Sequence, residues 1–329
     1  MTFSQYTTRF CANRRSLCLL LAALAIQGFV RADEPIIDEV LVHGSRLGPP
    51  LWRVNNGENV LWIFGYVAYL PKELEWDTNS VRDIMATAEV YFTPPELYST
   101  VRNPFKLIST GRRFGRYKLL PDGYELEEIL PEALYQRLLA TKELYLPDSK
   151  YLLKLRPRFI AAALLQRATA AHNLVEASQP IKKRLERIAK RHKVKKQVGS
   201  KRLSLNETLD SIENLPFVPD IDCLQTTLDS IEDMEAMERR TINWANGDVS
   251  EYQQTDFPNV ALACAWDELP ADHQIVKEGI ANDQRWLGFV QAALDTNKTS
   301  FASLPLWEIV IDGGFIDQLR NKGYNVALK

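Results

Sequence analysis

The chain has 329 residues, 46% hydrophobic and 25% charged, a globular composition that excludes disordered and fibrous classes. Forty Lys and Arg against 42 Asp and Glu leave a net charge of −2, so no overall field gathers nucleic acid and any anion site must be local. Four cysteines are too few for a small disulfide scaffold, and no Cys-x-x-Cys or His/Cys cluster with zinc spacing occurs.

Arg9, Arg14 and Arg15 precede an apolar run from Leu17 to Val30, and Val30-Arg31-Ala32 stands ahead of Asp33-Glu34-Pro35. Residues 1–32 thus read as a secretory signal peptide cleaved near Ala32, which predicts a periplasmic or secreted product. An uncleaved anchor is the alternative, and the run is short of the roughly 20 residues that span a bilayer. Cleavage removes Cys11 and Cys18 and leaves residues 33–329 with a net charge of −6. Cys223 and Cys264 then either pair, stabilising by about 3–4 kcal/mol in the chain-entropy picture, or lie as two separate buried thiols.

Leu51-Trp52-Arg53-Val54 and Val60-Leu61-Trp62-Ile63-Phe64, joined by Asn55-Asn56-Gly57, predict a hairpin whose second strand is covered on both faces. Val81, Ile84 and Met85 place a helix over 78–88, and Val90-Tyr91-Phe92 reads as a strand. Helical periodicity covers 126–140, 153–177, 209–215, 224–237 and 279–294. Residues 181–202 hold eleven Lys or Arg against the single acid Glu186, with Ile181, Leu185 and Ile188 keeping one apolar stripe, which predicts a basic amphipathic helix running into a polar loop. After Ser300–Leu304 the chain closes with a helix over 315–322, Gly323 as its cap and a strand at Tyr324-Asn325-Val326. Strands near both ends and a helix-rich middle, about 126–294, imply one α/β domain with a mixed sheet and a helical insertion.

Catalytic signals are sparse. His43, His172, His192 and His273 form no helical metal pair, and neither a Gly-x-Ser-x-Gly elbow nor a phosphate loop occurs. Two readings stand for the basic run: the solvated face of a helix, or a surface for anionic lipid headgroups or acidic polysaccharide through Lys182, Lys183, Arg184, Arg187, Lys190 and Arg191.

Gly48-Pro49-Pro50-Leu51-Trp52-Arg53-Val54, then Val60–Gly65, then Leu70-Pro71-Lys72, together with the closing Phe315–Val326, resemble the opening and ending of the TraB/GumN family. That resemblance implies a single α/β domain similar to the erythromycin-esterase, ChaN-like and Tiki metalloprotease proteins, in which two Gly-x-x-His motifs and an acidic residue form a metal-dependent hydrolytic site. The first motif reads Gly65-Tyr66-Val67-Ala68 here, the second histidine falls on Glu308, and the acidic position falls on Pro94. Side chains at Ala68 and Pro94 offer a metal no lone pair, and no histidine lies between residues 44 and 171.

The sequence therefore predicts an envelope pseudoenzyme without cofactor, a binding or scaffold module whose pocket lies near Gly65, Tyr66, Tyr69 and Glu308. An envelope protein, an anionic headgroup or a polysaccharide is the expected class of partner, and nucleic acid is not. Tyr66, Tyr69 and Trp307 read equally as core aromatics. The rival reading is a hydrolase or peptidase with a rearranged site, using Glu308 with Glu96 or Asp312 and a divalent metal such as Mn or Co.

Overall fold

A computed structural model of the protein describes residues 48–329 apart from 102, 255–257 and 265–268. The expected signal segment 1–32, like the first residues of the expected domain, lies outside the described residues. Strands β1 (Leu51–Asn56) and β2 (Asn59–Tyr66) form the expected hairpin, with Gly57 at φ +60° in its turn. Leu61, Ile63 and Phe64 are fully buried, as the unbroken apolar run requires of a strand covered on both faces. The chain continues through β3 (Tyr69–Pro71), α1 (Asn79–Thr87), β4 (Val90–Phe92), β5 (Leu97–Thr100) and α2 (Leu107–Tyr117).

In the helix-rich middle, local chemistry breaks the longer helices that periodicity predicts. The first splits at Leu130-Pro131 into α3 (Leu126–Ile129) and α4 (Glu132–Tyr145), because a residue before proline is driven out of helical geometry. The second is shorter: α5 (Pro157–Ala171) starts with proline at its first position and ends before Asn173, whose φ of +56° turns the chain into β6 (Leu174–Glu176). The basic run forms α6 (Ser178–Arg191), then β7 (Lys195–Gln197) and β8 (Lys201–Ser204) where a loop was expected. Lysines on β7, at the margin of the sheet, hide its strand character. After α7 (Leu205–Ile212), Asp233 separates α8 (Ile221–Glu232) from α9 (Met234–Ala245), its carboxylate accepting from the Ala236 N–H as an N-cap. The remaining elements are α10 (Val260–Ala263), α11 (Gln274–Thr296), β9 (Thr299–Pro305), α12 (Leu306–Val310), α13 (Phe315–Asn321) and β10 (Asn325–Leu328).

A six-stranded mixed sheet runs β10-β1-β2-β9-β4-β7, antiparallel from β10 to β2 and parallel from β2 to β7. Strand β9 is inserted between β2 and β4, with Tyr66 opposite Pro305 and Phe92 opposite Ala302. Two short sheets, β3 with β6 and β5 with β8, stitch the middle of the chain to this frame. One core surrounds the main sheet, and a second lies within the helical middle around Leu138, Ile160, Leu164 and Leu228. The α/β class with one mixed sheet is as expected from the sequence. Cys223 on α8 and Cys264, just after α10, are joined as a disulfide across 41 positions.

Two outcomes follow for stability. A Cβ at Gly65 would stand 2.8 Å from the buried Trp52 ring and 3.0 Å from Leu306 Cδ1, so Gly65→Ala is expected to destabilise by about 1–3 kcal/mol in urea unfolding. Cys264→Ser should lose about 4 kcal/mol by chain entropy, and equal stability with and without reductant in the parent protein would show that the bond is not what holds α10 in place.

Candidate functional site

Because β2, β9 and β4 are parallel neighbours, the segments leaving their C-terminal ends emerge together, where ligands bind in open α/β sheets. The exits of β2 and β4 are tied to distant helices. The Trp244 indole N–H on α9 donates to the Gly65 carbonyl at 2.7 Å, and the Trp286 indole on α11 donates to the Thr93 carbonyl at 2.9 Å. Asn282 Nδ2 donates to the Pro95 carbonyl at 2.8 Å, and the Gly199 N–H donates to Thr93 Oγ1 at 2.9 Å. A Cβ on Gly199 would collide with the Thr93 carbonyl at 2.2 Å, so only glycine allows that approach.

Pairing of β3 with β6 sets the start of α6, where the Ala177 N–H donates to the Ala68 carbonyl at 2.7 Å. With Ile181, Leu185 and Ile188 facing the core, Lys182 is carried over Glu96. Its ammonium donates to Glu96 Oε1 at 2.7 Å and to Oε2 at 3.0 Å, and the Tyr66 hydroxyl donates to Oε1 at 3.0 Å. Lys182 Nζ also lies 5.7 Å from the centroid of the Tyr66 ring. Glu308, on α12, has a solvent-inaccessible Oε2 without a hydrogen-bond partner. Burial pushes its pKa up to about 8, nearby Asp283 and Glu96 add to the rise, and Lys182 opposes it. Burial raises Asp283 to about 6, and raises the Tyr66 phenol further from its ordinary value with help from Glu96 and Glu308.

A cavity of about 370 Å³ adjoins this cluster, lined by Tyr66, Ala68, Tyr69, Glu96, Leu306 and Trp307 among others. Tyr66, Tyr69 and Trp307 therefore face a cavity instead of serving only as core aromatics. Gly65 is buried behind the wall, and Glu308 is likewise not on it. Pro94 lines a neighbouring cleft of about 500 Å³, to which Glu96 also belongs.

Two of the expected surface cations turn inward. Lys182 engages Glu96, and Arg184 stacks on Trp76 at 4.6 Å and reaches Thr78 Oγ1 at 3.4 Å. Both flank the apolar stripe of α6, which draws them in; Lys183, Arg187, Lys190 and Arg191 remain exposed. Asp312, expected as a partner of Glu308, is exposed on a turn; Asp283, together with Glu96, adds to the rise that burial causes in the Glu308 pKa. Sequence reading missed Asn282 and Asp283. Their signal is a polar pair interrupting the apolar stripe of α11 one turn before Trp286 and Leu287.

A family model described as TraB/PrgY/gumN matches residues 50–327. The chain belongs to this family. No curated protein and no solved structure matches it. The fold brings Ala68, Pro94 and Glu308, the positions that the TraB/GumN resemblance assigns to the hydrolytic site, to the exits of β2, β4 and β9. Among the described residues, no three His, Cys, Asp or Glu side chains are grouped to hold a metal ion.

The buried carboxyl makes stability depend on pH. Between about pH 4.5 and 8 Glu308 is protonated in the fold and ionised in the unfolded chain. Its stabilising contribution is therefore complete below about pH 4.5 and is lost as pH rises to 8. In thermal unfolding, Glu308→Gln should match the parent near pH 4.5 and become progressively more stable than it towards pH 8. Parallel curves would contradict the burial of this carboxyl.

Proposed function

We propose that the protein is a catalytically degenerate TraB/PrgY/gumN module of the cell envelope, which binds a ligand at the exits of the parallel strands without cleaving it. The observation that carries this reading is the Lys182–Glu96 pair beside Ala68 and Pro94. Ala68 and Pro94 have no side-chain lone pairs, and an ammonium already takes up Glu96, the carboxylate that accepts from the Tyr66 hydroxyl. That donor set does not suit a catalytic divalent ion, which needs several protein ligands and an open position. The cavity remains, with a volume in the range of about 300–1,000 Å³ usual for small-molecule sites. The signal-like residues 1–32 support export. No helix among the described residues is long and apolar enough to cross a membrane.

A second reading has its own observation. Glu308, protonated near neutral pH beside Asp283, has the character of a general acid, so a hydrolase with a rearranged site built on Glu308 is the alternative. Thermal unfolding of the mature protein with Mn²⁺, Co²⁺ or Zn²⁺ separates the two. A metal at 100 times its dissociation constant would stabilise by about 2.7 kcal/mol. No shift, and no turnover of peptide or ester substrates, is the expected result; a shift together with turnover, both abolished by Glu308→Gln, would establish the hydrolase.

A further inference from the structure

The cavity beside Tyr66 is the innermost of three neighbouring concavities. Glu96 lines both this cavity and the neighbouring cleft, which also contains Lys182, Lys183 and Lys196. Lys183, Glu186 and Lys196 in turn line both that cleft and an open groove along α6. Three adjoining concavities, with Glu96 as the shared wall of the inner two and Lys183, Glu186 and Lys196 as that of the outer two, thus run from the exposed side of α6, past the Lys182–Glu96 pair, to the chamber at the strand exits.

The two ends of this path differ in chemistry. The chamber is walled largely by apolar groups, among them Leu165, Met237, Val260, Leu306 and Trp307. Arg240 also lines it and interacts with the charge of Glu251, a carboxylate that pairs with Arg239 at 3.0 Å. The groove carries Lys183, Arg187, Lys190, Lys193 and Lys196, all exposed, against Glu186, which accepts from Lys196 at 3.2 Å. Four cations are left in excess at the outer end, and the inner end favours whatever removes apolar surface from water.

We propose that this path binds a single-chain amphiphile with an anionic head, its hydrocarbon chain in the chamber and its phosphate or carboxylate among the α6 lysines. This assignment rests on the reading of the cleft as a binding site and adds the class of ligand. A polysaccharide would satisfy the groove and leave the apolar chamber unfilled, whereas an uncharged apolar molecule would leave the lysines unused. Lysine suits the head, since a compact ammonium pairs with phosphate or carboxylate without demanding bidentate geometry.

The test is calorimetric titration of the mature protein with myristoyl lysophosphatidylglycerol, with its phosphatidylcholine counterpart and with glycerol 3-phosphate, each below any micelle-forming concentration. The anionic lipid should bind, the choline lipid should bind roughly tenfold more weakly, and glycerol phosphate should give no heat. Ala261→Trp, which fills the chamber from an exposed position, should weaken both lipids about tenfold. Lys183→Glu with Lys190→Glu should weaken only the anionic one. Equal affinity for the two lipids, full affinity for glycerol phosphate, an unchanged Ala261→Trp, or no binding of either lipid would each overturn the assignment. Failure to bind with no metal response leaves the non-catalytic reading intact, whereas release of free myristate would overturn that reading and keep the ligand class.

Discussion

The contact on which the strand exits depend is the hydrogen bond from the Trp244 indole to the Gly65 carbonyl. A buried carbonyl at the end of a strand must find a donor, because leaving it bare costs about 1–3 kcal/mol. Here the donor comes from α9, in the helical middle, so the insertion is locked to the sheet where the first motif begins. The same indole packs against Phe64 and Trp76 at 6.1 and 5.8 Å between ring centroids. On the other side, the missing side chain of Gly65 lets Trp52, Leu306 and Ile309 close in. Backbone and aromatic contacts hold the residue from both faces, and Tyr66 through Ala68 leave the strand along a fixed course.

Electrostatics then decide what this scaffold can do. Glu96 has a cationic partner in Lys182 and a phenolic donor in Tyr66, while Glu308 lies shielded and is neutral near pH 7. One acid is thus satisfied by a resident ammonium and the other by its own proton. Lys182 thus occupies the place beside Glu96 that another cation would take. The six-stranded frame carries alanine and proline at two of the positions that the TraB/GumN resemblance assigns to the hydrolytic site.

Much of the frame was legible because its signals are local. The Asn-Gly turn, the covered second strand, the helix over 79–87 and the closing helix and strand all stand where the residues predict them. Strand β9 was harder to read, since Ser300, Ala302 and Ser303 are small residues fitted to a crowded central position, with Ser303 bonded to Tyr91 at 2.9 Å. Helix ends were hidden wherever a single proline or aspartate outweighed periodicity. At the site, the resemblance led to Ala68, Pro94 and Glu308, which the fold does gather. It could not reveal Trp244, Asn282, Asp283 or Trp286, which reach the strand exits from far along the chain and are recognisable only as polar or bulky interruptions of helix stripes. The basic run misled for a related reason: a count of charges does not say which of them flank an apolar stripe, and Lys182 and Arg184 do.

The place of β9 also governs how the molecule can be made. It pairs with both β2 and β4, yet it follows them only after the whole helical middle has been synthesised. Until those last residues emerge, β2 and β4 have no shared neighbour, and loop-closure entropy over the long intervening segment opposes their assembly. Folding of the central sheet is therefore deferred to the end of synthesis. A product cut short before Thr299 would keep Trp244 and Trp286 and still lack Pro305, Leu306 and Trp307 from the wall of the chamber.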